Sequence, residues 1–353
     1  MSAVLCLVRI FMTGKIDLTR RILFFAVLVF AFAAPVQAAK SAGKAPLTKI
    51  VFVTDWKAQA EHGGFYEALA LGVYKRSGLD VRIRQGGPSV NVPQLIAGGA
   101  ADFGIGSNSF VPLNMLRQGV PVRAVMAVFQ KDPAILMTHP RTDVRRLADM
   151  KGKPIMLGDA ATVTIWPWLK AKYGFDDSQI RKYTFNLQPF LVDRNAIQEG
   201  YLTSEPYTVE SAAHFKPQIF LLADNGYSSY ANLVLVPQRW IDTNPAAVQA
   251  FYDATVVGWY QYLEGDPKPA NALIKRDNPD MSDVVIAQAI AKMKAYGLVE
   301  SGDAKPFGIG AMVNPRWKQF FDSMSALGLY PRNLPYQNAY DLKFMRHTPQ
   351  YWE

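Results

Sequence analysis

Lys49-Ile-Val-Phe-Val-Thr54 is followed by a polar loop, a helix-like stretch and the segment Leu79-Asp-Val-Arg-Ile-Arg84. The first run is short, β-branched and apolar, and reads as a buried strand. Gly63 to Arg76 puts Phe65, Leu69, Leu71 and Val73 on apolar helical faces, and Ser77-Gly78 ends it. Leu79 to Arg84 alternates apolar with charged residues, as a strand with one wet face does. Strand, helix, strand in this order argues for an α/β fold with parallel pairing. The rhythm continues with a short helix over Asn91–Ala97, capped by Gly98-Gly99. Strands are expected at Asp102–Ile105, Val122–Gln130 and Ala134–His139.

A second α/β unit then begins. Its expected elements are a strand at Pro154–Leu157, a helix at Ile165–Tyr173 and a strand at Tyr183–Phe185. A helical turn at Asn195–Glu199, a strand at Tyr201–Glu205 and a helix at Val209–Phe215 follow, then strands at Ile219–Leu222 and Leu233–Val236. After Pro245 the pattern changes to long helices, read at Ala246–Glu264, Asp283–Tyr296 and Pro315–Leu327. Two α/β units plus a helical C-terminal third is the expected organisation.

The chain has 353 residues, 50% of them hydrophobic and 19% charged, which excludes general disorder. Arg20 and Arg21 precede an apolar run from Ile22 to Ala34, and Pro35 then leads to Val36-Gln37-Ala38. A basic start, an apolar middle and a small-x-small end make a secretory signal peptide over residues 1–38, cleaved near Ala38. The run is shorter than the roughly 20 residues a spanning helix needs. Arg9, Lys15, Arg20 and Arg21 against Asp17 give the leader +3 of the total +9, leaving +6 for the exported product. Those basic residues are scattered, so no nucleic-acid partner is expected. The single cysteine, Cys6, lies in the leader, so a disulfide scaffold and a cysteine-rich metal site are both excluded.

Catalytic signatures are missing. The four histidines, His62, His139, His214 and His347, show no metal-ligand spacing, and there is neither a nucleophile elbow nor a P-loop. Gly104-Ile-Gly106 lacks the third glycine of a dinucleotide fingerprint and reads as turn geometry. The informative residues follow strands, where open α/β sheets bind ligands. The first such loop runs from Asp55 through Trp56 and His62 to Gly63-Gly64-Phe65, where Gly64 would let backbone N–H groups approach a ligand. The second is Ser107-Asn108-Ser109 and the third runs from Gly158-Asp159 through Thr162 to Thr164. Each precedes a helix whose first N–H groups lack partners, so each polar residue is either a ligand donor or an ordinary cap. Trp56, Phe65, Trp166, Phe190 and Tyr207 are either stacking surfaces or core. Glu205 could accept hydrogen bonds from a ring N–H or an amine, or sit in a surface ion pair. None of the three loops contains an arginine, which argues against a phosphate-rich ligand.

The ordered set Ile50-Val-Phe-Val-Thr-Asp-Trp56, Gly72-Val-Tyr-Lys-Arg-Ser-Gly-Leu-Asp-Val81, Gln94-Leu-Ile-Ala-Gly-Gly-Ala-Ala-Asp-Phe-Gly104 and Leu147-Ala-Asp-Met-Lys-Gly-Lys-Pro154 resembles the periplasmic solute-binding proteins of ABC importers. The branch is the one that includes sulfonate, nitrate, riboflavin and thiamine-precursor pyrimidine binders. It is also similar to the eukaryotic thiamine-pyrimidine synthase. The resemblance covers about residues 48–330. It implies a type II periplasmic-binding-protein fold: an α/β chain in two lobes, each a mostly parallel sheet flanked by helices, with ligand in the cleft between them. The crossings would lie near Lys131–Arg141 and Asp224–Leu235, giving lobe one as 46–135 plus 236–353 and lobe two as 136–235. It further implies a periplasmic monomer, without cofactor or metal, that binds a small molecule and docks transiently on an ABC permease.

The expected ligand is a heteroaromatic nutrient, a thiamine-precursor pyrimidine or a flavin-like ring. Trp56 with Phe65 or Trp166 would sandwich it, Glu205 and Asn186 would read its edge, and Ser107, Asn108, Ser109, Thr162 and Thr164 would take its polar substituents. The synthase's lysine and histidine fall on Gly106 and Phe110, and its cysteine-rich stretch has no counterpart, so synthase activity is not expected. The alternatives are a sulfonate or nitrate binder and a synthase-like enzyme using His62 or Asp159.

Overall fold

Each of two five-stranded sheets is completed by a strand that arrives from the other. The computed structural model describes residues 46–184 and 186–345, so the expected leader and its cleavage point, Cys6 and His347 lie outside the described residues. The strands are β1 (Thr48–Val53), β2 (Leu79–Arg84), β3 (Phe103–Asn108), β4 (Val122–Phe129), β5 (Ala134–Thr138), β6 (Ile155–Leu157), β7 (Ile180–Lys182), β8 (Ile197–Tyr201), β9 (Gln218–Leu221) and β10 (Ala231–Pro237). The first sheet has the order β2-β1-β3-β10-β4 and the second β7-β6-β8-β5-β9. In the first, β1 runs parallel to β2 and β3, while β10 is antiparallel to β3 and β4. The second repeats the plan, with β6 parallel to β7 and β8 and with β5 antiparallel to β8 and β9. The chain passes from sheet to sheet twice, through 130–133 after β4 and through 222–230 after β9.

Local sequence explains most of this. β1, β4 and β5 are β-branched or apolar runs with little polar interruption, as strands covered on both faces require. The helix Pro245–Glu264 is apolar nearly all round because it is walled in on most sides, with Trp259, Tyr262 and Phe251 buried. It crosses the helix Gly63–Ala70 at a notch of glycines. A Cβ on Gly64 would lie 2.2 Å from the Trp259 ring, and one on Gly258 would lie 2.2 Å from the Gly64 carbonyl oxygen. Among the described residues no helix is long and apolar enough to cross a membrane.

Several expectations need correction. The helix read over 63–76 breaks after Ala70, and Gly72 takes φ 67°, which only glycine adopts without strain. Gly104 and Gly106 lie inside β3 and not in a turn. A Cβ on Gly104 would come 2.6 Å from Val92, so the glycines admit neighbouring side chains. The strand expected at 183–185 lies earlier, at β7. The helical turn expected at 195–199 and the strand at 201–205 are replaced by β8 and by the helix Glu205–Ala213. β8 is central, paired to β6 and β5, and those ladder bonds outweigh the weak strand propensity of Ile197-Gln-Glu-Gly-Tyr201. Helices Gln238–Thr243 and Lys268–Asp277 have no counterpart among the sequence expectations. The sheets also divide the chain differently: Ala134 and Ile135 belong to the second sheet, and Ala231–Leu235 to the first.

Candidate functional site

A cavity of about 560 Å³ lies where the ends of β1, β3, β6 and β8 meet the first crossing. Asp55 and Trp56 reach it from the loop after β1, Ser107 and Asn108 from β3, and Gly158–Ala161 and Thr164 from the loop and helix start after β6. Glu199, Gly200 and Tyr201 border it from β8, Asp132 from the crossing and Asn232 from β10. Parallel strands end at this edge, and ligands of open α/β sheets bind at such strand ends.

Carboxyl groups dominate its chemistry. Glu205 opens the helix Glu205–Ala213, where its Oε2 accepts the Tyr201 N–H at 2.8 Å and its Oε1 accepts the Tyr183 hydroxyl at 3.1 Å. Burial pushes its pKa up to about 7, against these stabilising bonds. Glu199 projects from β8, and its Oε1 accepts the Gly158 N–H at 2.6 Å. Its Oε2 is buried without a protein partner, and burial pushes the carboxyl up to about 8. Two glycines make room: a Cβ on Gly158 would sit 2.8 Å from Glu199 Oε1, and one on Gly200 would sit 2.9 Å from the Glu205 Cβ.

On the other sheet's side, Glu61 is 3% exposed and accepts a hydrogen bond from the Thr203 hydroxyl; burial raises its pKa. Asp132 uses Oδ1 to accept the Ala134 N–H at 2.9 Å, and burial pushes it up to about 7. Asp55 faces His62 Nε2 at 3.3 Å, while Asp159 is exposed and stands 3.6 Å from Lys182. Among the described residues no group of three or more His, Cys, Asp and Glu is arranged to hold a metal ion.

Of the residues proposed from sequence, Trp56, His62, Ser107, Asn108, Asp159, Thr164 and Glu205 come together at this cavity. The others do not border it. Phe65 is fully buried against Phe52 (4.7 Å between ring centres) and Trp259, and Gly64 serves the helix crossing, so neither faces a ligand. Trp166 is buried with its indole N–H on Asp177 at 2.8 Å, and Phe190 packs on the His139 ring at 4.8 Å. Ser109 joins the second crossing, its N–H on Ser229 Oγ at 2.9 Å. Thr162 donates to the Asp159 carbonyl at 2.6 Å, and Asn186 accepts the Gln188 N–H at 3.0 Å, both as local turn bonds. Tyr207 is half-buried away from the cavity wall. The stacking partners expected for Trp56 are thus replaced at the wall by Phe129, Tyr183 and Tyr201.

Sequence reasoning missed Glu61, Asp132, Glu199 and Asn232. Asp132-Pro133 carried a signal, an acid at an expected crossing. Glu199 was hidden by the misread of β8.

Two sets of bonds join the halves around the cavity. On one flank Thr203 holds Glu61, the Gln288 amide donates to the Thr203 carbonyl at 2.6 Å, and Lys292 donates to the Leu202 carbonyl at 3.2 Å. On the other, the Asn114 amide donates to the Val163 carbonyl at 3.1 Å.

The fold is shared with known proteins. An alkanesulfonate-binding protein SsuA from Xanthomonas axonopodis pv. citri, solved with MOPS bound, superposes with a TM-score of 0.61 at 14% identity over 84% of this chain and 99% of that one. A Candida albicans protein described as having the generic periplasmic binding protein structural fold gives 0.60 at 14% identity, covering 86% and 99%. The two-sheet α/β architecture is therefore a periplasmic-binding-protein fold. In sequence, the chain is similar to the riboflavin-binding protein RibY of Chloroflexus aurantiacus, 20% identical over 89% of this chain and 90% of that protein. The model of the family described as NMT1/THI5 like matches residues 59–270, from the loop after β1 through both sheets into the helical third. With more than half its length matched, the chain belongs to the NMT1/THI5-like family.

Proposed function

We propose that this chain is the extracytoplasmic receptor of an ABC importer. It closes two lobes over a small heteroaromatic nutrient, a thiamine-precursor pyrimidine or a flavin-like ring, and hands it to a membrane permease. The observation that carries this reading is the chemistry of the cavity wall. Among the described residues six acids border it, Asp55, Glu61, Asp132, Asp159, Glu199 and Glu205, and no lysine or arginine does. Trp56, Phe129, Tyr183 and Tyr201 supply aromatic surface beside them. A planar ring carrying amino or ring N–H donors suits both features. A stacked aromatic pair contributes about 0.5–1.5 kcal/mol beyond area burial, and a hydrogen bond to an ionised carboxylate about 1.5–3 kcal/mol. The volume is in the range of small-molecule sites, roughly 300–1,000 Å³. The similarity to a protein named riboflavin-binding supports the same ligand class. A periplasmic monomer that works without a cofactor, does no chemistry on its ligand and has lost residues 1–38 as its leader completes the reading.

A sulfonate or nitrate would meet those acids without an arginine fork, so the anion reading ranks second. Calorimetry and thermal shift with riboflavin, 4-amino-5-hydroxymethyl-2-methylpyrimidine, taurine and nitrate separate the two. Saturable binding of a ring compound is expected. Stabilisation by taurine or nitrate alone would overturn the heteroaromatic reading.

A further inference from the structure

Among the described residues, the cavity wall carries four buried polar atoms that no protein group satisfies, three of them oxygens. They are Asp132 Oδ2, Asn232 Oδ1, His62 Nδ1 and Glu199 Oε2. The orientation of Asn232 is fixed, because its Nδ2 donates to the Glu61 carbonyl at 2.6 Å and leaves Oδ1 as the free end. His62 Nε2 lies 3.3 Å from the Asp55 carboxylate, and the tautomer that donates from Nε2 leaves a lone pair on Nδ1. Native proteins leave few buried polar atoms unpaired, and a run of same-sense orphans in one cavity marks where a ligand supplies the missing partners. Asn232 carries a second sign. It takes φ 51° inside β10, between the paired residues Ala231 and Leu233, a strained conformation for a residue other than glycine. Strain of this kind concentrates at binding sites.

Two of the four atoms belong to carboxyl groups, Asp132 and Glu199. Asp132 is 1% exposed, and among the described residues no lysine or arginine borders the cavity to neutralise it. Arg316 acts on Asp132 only through its field. Its guanidinium gives its hydrogen bonds to Gln130, Ser229 and Asp303. The acceptors belong to both halves: Asp132 and Asn232 lie at the first crossing and on the first sheet, Glu199 on the second.

We propose that the ligand of this cleft is an organic cation with N–H donors at two ends, one held by Asp132 Oδ2 and Asn232 Oδ1 and the other by Glu199 Oε2. The inference rests on the cleft reading above and narrows it from a donor-bearing ring to a charged one. A ligand bound this way bridges the two sheets, so the contacts that recognise it also hold the halves together. A neutral amide of the same shape is rejected, because it sets a carbonyl oxygen against a buried acceptor.

The test uses the purified chain and two matched planar probes, the dication 1,4-benzenedicarboxamidine and the neutral terephthalamide, in calorimetric titrations. The amidine is expected to bind at least about tenfold more tightly. Asp132→Asn, which keeps the bond to Ala134 and turns an N–H toward the cavity, is expected to reduce that preference about tenfold. Glu199→Gln is measured in parallel, so the result does not hang on one variant folding. Equal affinity for the two probes in the parent protein, or a preference unchanged in both folded variants, overturns the inference. If riboflavin or the pyrimidine binds but is not displaced by the amidine, the cation fails while the cleft reading stands. If no compound of either panel binds, both fall.

Discussion

Gly158 shows how closely single residues set this site. Its backbone is extended, φ −74° and ψ 161°, so any residue could adopt it, yet a Cβ would lie 2.8 Å from Glu199 Oε1. Gly158→Ala therefore acts by pushing the carboxylate and not by straining the chain. The expected cost is about 1–3 kcal/mol in urea unfolding, with lost ligand affinity. Removing the side chain it would push, in Gly158→Ala with Glu199→Ala, should cost less than the sum of the two single changes, because the residues touch. Titration gives a second prediction at this scale. Burial raises Asp132 and Glu205 to about 7 and Glu199 to about 8, all above their ordinary values, so the folded protein binds more protons than the unfolded chain between those limits. Stability without ligand should thus fall as pH rises from about 4.5 to about 8. Glu199→Gln should flatten that fall by a few kcal/mol, since each tenfold difference in proton affinity between the folded and unfolded chain is worth about 1.4 kcal/mol. Urea unfolding at pH 5 and pH 8.5 measures it; a parent protein as stable at the higher pH would contradict the assignment. The site was half legible from sequence for a plain reason. Polar loops after strands pointed to Ser107, Asn108 and Thr164, but the partnerless Oδ2 of Asp132 acquires meaning only when the crossing folds it inward.

At the scale of elements, the two crossings carry the architecture. Arg316, on the helix Asn314–Ala326, donates to the Gln130 carbonyl of the first crossing and to the Ser229 carbonyl of the second at 3.3 Å, and its guanidinium lies 4.0 Å over the Tyr230 ring. One planar fork therefore ties both passages. Arg316→Ala should cost about 2–4 kcal/mol, since it strips carbonyls and Asp303 of a half-buried cation. Arg316→Lys should recover little of this, because a point charge cannot span both carbonyls. Denaturant unfolding of the two variants checks the order. Elements were readable where the pattern was local. The β-branched runs of β1 and β4 and the periodic helices Pro245–Glu264 and Asp283–Ala295 met expectation within a residue or two. β8 was not readable, because Gln198, Glu199 and Gly200 have no strand preference of their own and become a strand only between β5 and β6. Misreading it also displaced Glu205 from the start of a helix to the end of a strand.

Across the whole molecule, charge opposes the proposed closure of the halves. The full chain carries +9, yet among the described residues six acids and no lysine or arginine border the cavity, so the basic surplus lies outside the cavity wall. In the proposed receptor, bringing the halves together would bury those acids and disfavour closure until a donor-rich ligand offset their repulsion. On one flank few bonds join the halves. The hydroxyl of Thr203 on Glu61, the Gln288 amide on the Thr203 carbonyl and Lys292 on the Leu202 carbonyl all converge on one turn, the turn that leads into Glu205. In the proposed receptor Glu205, a candidate ligand group, thus sits beside the segment that joins the two halves. Thr203→Val keeps the shape and removes the hydroxyl, leaving Glu61 buried without that donor. The closed population should drop, and apparent affinity falls in proportion to the fraction that remains competent. Leaving a buried acceptor without its donor, at about 1–3 kcal/mol, predicts roughly five- to hundredfold weaker binding of whichever ring compound stabilises the parent protein. Small-angle scattering should show a larger radius of gyration for the ligand-free variant, and saturating ligand should restore the parent value. Weaker binding with an unchanged radius would instead place Thr203 in direct ligand recognition and remove its role in joining the halves.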